Sequence, residues 1–265
     1  MIVWEYAADV ADACHRIGIK AMAVTAGYMC PEPRAAFYSH IDAANGDIKG
    51  FTQDFYHRTC AARVADVLDT LCYLRHETEV WLGITTLLIP GRNDSAEEID
   101  AETAWIATEL DTDMPLHFSA FHPANKMMDV PSTPAATLTR ARRIALGNGL
   151  RYVYTGNVHD TEGGTTTCPG CGAEVIVRDW YAISAYLLED DGTCRVCGTQ
   201  IPGVYDGPAG RWGGRRLPVS VAYQRRWARC GVRLRAAGGS RRLVLSRRSR
   251  RSRRSRRSRR AHRER

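Results

Sequence analysis

Two pairs of cysteines give the sequence its clearest chemical signal. Cys168 and Cys171 form one C-x-x-C pair, Cys194 and Cys197 form another, and 22 residues separate the two pairs. Two intervening residues let both sulfurs of a pair turn toward one ion, and the glycine after each pair suits the tight turn that this requires. Together the pairs predict a tetrahedral four-cysteine site that is closed and structural, because no ligand position is left open for catalysis.

Zinc is the metal that this spacing indicates. A single iron in a rubredoxin-like site is the alternative, since tetrahedral thiolate ligation serves both metals. Zinc would contribute folding free energy to a segment that has few apolar residues of its own. The other five cysteines lack pair spacing, which disfavours a disulfide framework in a reducing compartment; they are Cys14, Cys30, Cys60, Cys72 and Cys230.

The elements that would carry this site begin with an alternating pattern of strands and helices. Strand-like segments are KAMAVTA, the residues near 46–51, EVWLGITTLLI, PLHFSAF and RYVYT, and helical patterns separate them. Such alternation predicts an α/β fold with a parallel sheet, open or partly closed into a barrel. The sequence opens with a helical pattern, so we expect the first strand to lie at a sheet edge without a partner. Ser95 and Glu98 have the spacing of a capping box.

Three regions of different composition follow one another along the chain. Residues 1–160 carry the α/β pattern, and residues 161–221 are rich in glycine and threonine and contain the cysteine pairs. Residues 222–265 hold nineteen arginines and one acid, a formal charge of +18, so residues 1–221 carry −10 of the total of +8. The S-R-R repeats cannot bury apolar surface, and we predict a disordered tail. The tail either binds nucleic acid incidentally through phosphates or is the product of an unselected reading frame.

The sequence shows neither a membrane span nor a signal peptide. No apolar run approaches the length of about eighteen residues that a membrane span needs. Glu5 and Asp9 stand where a signal peptide would be apolar. We therefore expect a cytoplasmic protein that does not contact a membrane.

Five phrases in the body carry a resemblance to a known family: AMAVTAGYMCPEPR, NGDIKGF, ITTLLIPGRNDS, FSAFHPANKMMDVP and YVYTGNVH. In this order they resemble the radical S-adenosylmethionine (radical SAM) enzymes related to pyruvate formate-lyase activating enzyme. The resemblance is greatest to the radical SAM enzyme of the AmmeMemoRadiSam system, whose members also end in a four-cysteine ribbon and a phrase like GGRRLPVSV. It covers residues 1–221 and implies a partial (β/α)6 barrel.

The resemblance also implies cofactors. The family holds a [4Fe–4S] cluster through C-x-x-x-C-x-x-C in the loop after its first strand, and the open iron chelates S-adenosylmethionine. This sequence has no C-x-x-x-C-x-x-C. The alignment of phrases places the first two strands of the family fold before the first residue of this chain. We therefore expect a truncated core that does not generate a radical by itself, with an unknown substrate that is a small molecule or a protein.

The resemblance assigns five residues to the cofactor site. Thr25 and Gly27 match a third-strand motif that faces the cofactor. Asp47 and Lys49 match a D-x-K pattern at the end of the fourth strand, where a carboxylate and an ammonium can reach the methionyl or ribose groups. His122 follows the sixth strand and can contact ribose or substrate. Strand ends are where barrels place such groups.

This sequence departs from the family pattern at three glycines. Gly83 stands where related sequences usually have an acid, and Gly46 and Gly50 replace bulkier residues in the family's fourth strand. Glycine inside a strand weakens it modestly.

A competing hypothesis treats the chain as a binding module. A zinc ribbon with a basic tail would engage nucleic acid, and the sheet would be a scaffold. The segment between the cysteine pairs, AEVIVRDWYAISAYLLEDDG, is acidic and lacks a basic stripe. Together with the acidic body, this composition disfavours groove binding.

Overall fold

A five-stranded parallel sheet lies at the centre of the protein. The structure is a computed structural model that describes residues 3–205 and 207. The strands follow one another across the sheet in chain order, and every neighbouring pair is parallel. The predicted parallel sheet is confirmed. Its strands are β1 (Met22–Thr25), β2 (Ala43–Ile48), β3 (Trp81–Leu88), β4 (Leu116–Ala120) and β5 (Val153–Gly156).

Helices precede the sheet and connect its strands, as parallel pairing requires. They are α1 (Trp4–His15), α2 (Pro31–Tyr38), α3 (Gln53–Phe55), α4 (Val64–Glu77), α5 (Ala96–Trp105) and α6 (Ala135–Gly147), with π-helical turns at Tyr56–Cys60 and Ile106–Leu110. Within the residues that the structure describes, none of the helices has both the length and the hydropathy that a membrane crossing demands.

Strand β2 begins and ends three residues earlier than the sequence indicated. Its residues have low strand propensity, and the two parallel neighbours that supply its hydrogen bonds are not visible in a local pattern. Gly46 is buried, and a Cβ there would lie 2.5 Å from Leu71 Cδ2 on α4. A Cβ at Gly50 would lie 2.6 Å from Phe55 Cδ1. Helix side chains therefore fill the space that both glycines leave.

The two faces of the sheet differ in burial. Alternate residues of the central strands are fully buried, among them Ile48, Ile84 and Phe118. On the same face Thr86 of β3 donates a hydrogen bond to Glu102 of α5, so helices cover this face. The intervening residues of β2, β3 and β4 are partly exposed. One face is thus the core of the protein, and the other is accessible.

Strand β1 lies at the edge of the sheet. In the described part of the chain it pairs with β2 alone. Met22 and Val24 point to the accessible face and are 62% and 71% exposed. The predicted edge strand is confirmed for these residues.

A small antiparallel sheet follows the large one. It contains β6 (Thr166–Thr167), β7 (Glu174–Asp179) and β8 (Ala182–Tyr186), and a short helix, α7 (Thr161–Gly164), connects it to β5. Its apolar cluster contains Val175, Leu188 and Ile201. The boundary expected at residue 160 falls between β5 and α7 and stays a prediction. The tail, residues 222–265, lies outside the described residues.

Candidate functional site

The two cysteine pairs occupy loops with the same backbone geometry. Cys168 N donates to the Ala173 carbonyl at 2.8 Å, and Gly172 N donates to the Cys168 carbonyl at 2.9 Å. The second loop repeats both bonds at the same distances, from Cys194 to Thr199 and from Gly198 back to Cys194. Gly172 and Gly198 have φ of 73° and 78°, so each loop turns through a conformation that favours glycine. The glycine after each cysteine pair is a local pattern, and it predicted these turns from the sequence.

The loops bring the four cysteine sulfurs together. All four Sγ atoms lie within 4.8 Å of one another. Cys168 Sγ is 3.6 Å from Cys197 Sγ, and Cys171 Sγ is 3.9 Å from Cys194 Sγ. Tetrahedral ligation with metal–sulfur bonds of about 2.3 Å places sulfurs roughly 3.8 Å apart. The four sulfurs can therefore hold one metal ion.

The thiols of the cluster interact with one another and with Thr199. Thr199 Oγ1 lies 3.2 Å from Cys197 Sγ. Hydrogen bonds from the Thr199 side chain and backbone lower the pKa of Cys197 to about 6. Within the same cluster the pKa of Cys171 is raised to about 12, so the thiols share their protons until a metal ion displaces them.

The cysteine loops pack against the large sheet through Tyr152, immediately before β5. Tyr152 is 4% exposed and belongs to the same apolar cluster as the two buried cysteines, Cys168 and Cys194. The next residue on this face, Tyr154, stacks on His117 of β4 with ring centroids 4.8 Å apart and bonds Thr166 through its hydroxyl at 3.0 Å. Burial lowers the pKa of His117 to about 4. The module therefore covers the accessible face at its β4–β5 end.

Asp47 and Lys49 lie at the carboxyl end of β2. Asp47 belongs to the partly exposed face, and its Oδ2 is 2.5 Å from Lys49 Nζ. The Lys49 backbone N–H donates to the Tyr56 hydroxyl at 3.1 Å. Burial raises the pKa of Tyr56 to about 12, so this anchor stays neutral. The sequence placed both charged residues at a strand end, and the structure joins them in one ion pair.

Asn93 fixes the backbone around this ion pair. This residue was not identified from the sequence. Its side-chain amide donates to the Lys49 carbonyl at 2.8 Å and to the Leu87 carbonyl at 2.9 Å, and its Oδ1 accepts from Ile89 N at 2.7 Å. Asn93 is 2% exposed. It ties the end of β2 to the end of β3. Its position in the turn PGRND was the available signal, but turns commonly contain asparagine for local reasons.

Two further side chains tie the remaining strand ends. Thr133 donates to the Leu88 carbonyl at 2.6 Å and accepts from Phe121 N at 3.0 Å, which joins β3 to the loop after β4. Asn157, with φ of 59°, donates to the Ala120 carbonyl at 3.1 Å and joins β4 to β5. The carboxyl edge from β2 to β5 is thus held by three polar side chains. The bonds to the carbonyls of Lys49, Leu88 and Ala120 span 44, 45 and 37 residues, so no local sequence pattern indicates them.

His122 lies at the same edge, on the loop after β4. Its Nδ1 is 3.2 Å from Ser132 Oγ, and its Nε2 donates to the Asn157 carbonyl at 3.3 Å. The side chain is exposed. The ring is therefore positioned at the carboxyl edge, where the sequence put it, and its role in binding stays a prediction.

Thr25 and Gly27 lie at the carboxyl end of β1, and both take part in local backbone and packing contacts. Thr25 Oγ1 accepts from Gly27 N at 3.1 Å. Gly27 has φ of 66°, and a Cβ there would lie 3.3 Å from Val67 Cγ1. Turn geometry and helix packing account for this glycine. A contact of either residue with a cofactor stays a prediction.

A polar pair on the accessible face was also missed. Asn45 Oδ1 accepts from Thr85 Oγ1 at 3.0 Å, between β2 and β3. Asn45 is directly opposite Gly83 in the sheet register, and no atom lies within 3.8 Å of a Cβ built at Gly83. The sheet therefore has room for a side chain at position 83.

Comparison with known proteins gives a relative and a fold. The chain matches no protein-family model. It is 38% identical over 203 residues to the uncharacterized protein MJ0808 of Methanocaldococcus jannaschii, and the match covers 76% of this chain and 59% of that protein. The chain thus spans less than two thirds of this relative.

Two solved structures are similar. A domain of pyruvate-formate lyase-activating enzyme from Bacteroides vulgatus matches with a TM-score of 0.52 and 16% identity, over 59% of this chain and 92% of that domain. TYW1 with a lysine-pyruvate adduct bound matches with a TM-score of 0.40 and 18% identity, over 56% of this chain and 46% of that one. The chain therefore has the α/β fold of the activating-enzyme domain, at an identity that establishes the fold alone.

Proposed function

We propose that this chain is part of a radical SAM protein of the activating-enzyme type, and that the carboxyl edge of its sheet binds S-adenosylmethionine. Its fold is that of an activating-enzyme domain. The five phrases that resemble the AmmeMemoRadiSam enzyme supply the finer assignment. Its substrate is a small molecule or a protein. This chain does not generate the radical by itself.

The Asp47–Lys49 pair carries the proposal. Its ion pair is half-buried at a carboxyl strand end, where parallel α/β folds bind ligands. Lys49 offers an ammonium to the ligand carboxylate, and Asp47 offers acceptors for the ligand's amino group or ribose hydroxyls. Tyr56 and Asn93 hold the Lys49 backbone, so both charges are positioned before a ligand arrives.

The described cysteines do not fit the [4Fe–4S] cluster of the family. Three cysteines and one open iron position are needed, and the sequence has no C-x-x-x-C-x-x-C. In the described part of the chain, the group of four cysteines is the one set of three or more candidate ligands within reach of a single ion. That set is closed by its own four sulfurs. We therefore propose ligand binding, and no radical step, for this chain.

The four-cysteine site is proposed to hold zinc in a structural role. Its sulfur spacing suits tetrahedral ligation, and two of its cysteines are buried in the apolar cluster that contacts Tyr152. Zinc would hold the small sheet against β5 and so keep the covered end of the accessible face in place.

Isothermal titration of the 265-residue chain with S-adenosylmethionine tests the proposed ligand site. We expect binding that weakens about tenfold or more in Asp47→Asn and in Lys49→Met, because each variant removes a charged hydrogen bond. The matched control is the exposed Asp54–Arg58 pair on the neighbouring helix, where Asp54→Asn and Arg58→Met should leave affinity unchanged. No binding by the unmodified chain, or equal losses in the control variants, would overturn the proposal.

A further inference from the structure

A second concave site lies at the opposite end of the sheet. A cavity of about 610 Å³ opens at the amino ends of β1, β2 and β3, beside Met22, Ala43 and Trp81. An adjoining cavity of about 300 Å³ shares its wall from Thr78 to Trp81. We call the two together the amino-end groove. It is separate from the Asp47–Lys49 site, so nothing about it rests on the proposed function.

Aromatic rings form part of the groove wall. Tyr38, Tyr73 and Trp81 line the larger cavity, and Met22, also on the wall, is 62% exposed. Tyr73 already receives a cation on its ring, since the guanidinium carbon of Arg34 lies 4.4 Å from the ring centroid. Rings of this kind favour contact with guanidinium groups and with other aromatic side chains.

Two acids of the groove have no partner among residues 3–205. Glu77 and Glu79 line it, and neither makes an ion pair or side-chain hydrogen bond with any residue that the structure describes. Asp42, a third acid of the wall, accepts hydrogen bonds from Ala21 N and His15, which lower its pKa, and Lys20 lies close enough to lower it further. Two carboxylates therefore remain available to a cationic occupant.

The acids of the adjoining cavity are neutralised. Asp111 pairs with Arg75 at 2.5 Å, and Asp113 pairs with Arg151 at 2.5 Å. The unpaired negative charge of the groove is thus concentrated at Glu77 and Glu79.

The described chain itself enters the groove as it leaves the cysteine module. Pro202 lines the smaller cavity and Val204 lines the larger one. Val204 is 59% exposed, so the chain lies on the groove without filling it. The sequence continues as DGPAGRWGGR from residue 206, with Arg211, Trp212 and Arg215.

We propose that the amino-end groove is a docking site for a peptide segment that carries arginine and tryptophan, and that its occupant is Arg211–Arg215 of this chain. Arg211 follows Val204 by seven residues, a reach of up to about 23 Å. The side chains of this segment complement the groove wall. The guanidinium groups would pair with Glu77 and Glu79, and the indole would pack against the rings of Tyr73 and Trp81. Docking would secure the cysteine module to the sheet from the side opposite β5.

Site-specific photocrosslinking of the 265-residue chain tests this assignment. A benzophenone amino acid replaces Met22 on the groove wall, with Ser39 as a second, exposed wall position. The matched control replaces Met128, which is 68% exposed and outside the groove. Mass spectrometry then identifies the crosslinked peptide. We expect crosslinks within one chain from positions 22 and 39 to residues 208–216, and no such crosslink from position 128.

Charge reversal supplies the second readout. Glu77→Lys with Glu79→Lys should lower the crosslink yield by about threefold or more, and high salt should act in the same direction. Reversal of two exposed acids elsewhere, Glu97→Lys with Asp190→Lys, should leave the yield unchanged. Crosslinks to a second copy or to another protein, an absent crosslink to residues 208–216 from both wall positions, or equal effects of the two charge reversals would overturn the proposal.

Discussion

Lys49 Nζ lies 2.5 Å from Asp47 Oδ2, and the two residues are separated by one position at the end of a strand. Side chains two residues apart in extended chain point to the same face, so the strand itself brings the charges together. Ile48 between them points to the opposite face and is fully buried. The core thus fixes the strand, and the strand fixes the orientation of the ion pair.

Asn93→Ala should destabilise the protein by about 2–4 kcal/mol. The substitution removes three hydrogen bonds at a position that is 2% exposed, and it leaves the backbone groups of Lys49, Leu87 and Ile89 without that partner. Urea denaturation measures the change. Arg92→Ala, at the exposed neighbouring residue, should shift the midpoint little, and a comparable shift there would contradict the role assigned to Asn93.

Glu102→Gln should flatten the pH dependence of stability. Burial raises the pKa of Glu102 to about 8 from 4.5, so the unfolded chain ionises first as pH rises. Glu102 therefore makes stability fall with pH between about 4.5 and 8, by at most about 1.4 kcal/mol per pH unit. The Gln variant lacks this slope and should be more stable than the parent at pH 8.

Denaturation curves at several pH values measure that slope. Glu97→Gln, an exposed acid on the same helix, is the matched control and should keep it. If the free energy of unfolding had the same pH dependence in the parent and in Glu102→Gln, Glu102 would not be a buried, neutral acid in the folded protein.

Gly46→Ala should cost about 1–3 kcal/mol, because a Cβ at this buried position lies 2.5 Å from Leu71 Cδ2. Gly147→Ala is the paired control. Gly147 lies in α6 with open space around a Cβ, so alanine there should stabilise by about 0.5–1 kcal/mol. Thermal melts of both variants check the signs, and destabilisation of equal size at the two sites would contradict the packing described for β2.

Cys194→Ser should abolish tight metal binding and lower the melting temperature, because it removes one of four ligands and a buried member of the module's cluster. Cys72→Ser changes a half-buried cysteine of α4 outside the cluster and should retain the metal. Elemental analysis after gel filtration distinguishes them. Retention of a full metal equivalent by Cys194→Ser would show that the four sulfurs do not form the site.

Deletion of residues 222–265 should abolish binding to heparin or RNA. That stretch carries +18, whereas residues 1–221 carry −10. Binding by the complete chain should weaken steeply with salt. Affinity that survives the deletion would support the nucleic-acid module instead.

Local patterns predicted the alternation of strands and helices, the edge position of β1 and the cysteine loops. Ser95 caps α5 as expected, accepting from Glu98 N at 3.1 Å. Glu98 does not complete the box, because its carboxylate accepts from Phe51 N at 2.6 Å instead. A capping motif is local, whereas this competing partner lies 47 residues away and is invisible in the pattern.

Partners that are distant in sequence also explain why several residues of the site were not predicted. Asn93, Thr133 and Asn157 act on strand ends that only the assembled sheet brings near. Glu102 has the helical spacing of a surface acid, yet it faces Thr86 in the core. The start of β2 was misplaced because its neighbours, and not its own residues, define the strand.

Metal analysis of the purified 265-residue chain, before and after anaerobic treatment with iron and sulfide, tests the closed four-cysteine site. We expect one zinc per chain, bound at the four cysteines, and no iron gained on treatment. About four irons per chain, with a brown chromophore that changes on addition of S-adenosylmethionine, would contradict it. That result would mean that cysteines outside the closed site, or another chain, complete a cluster.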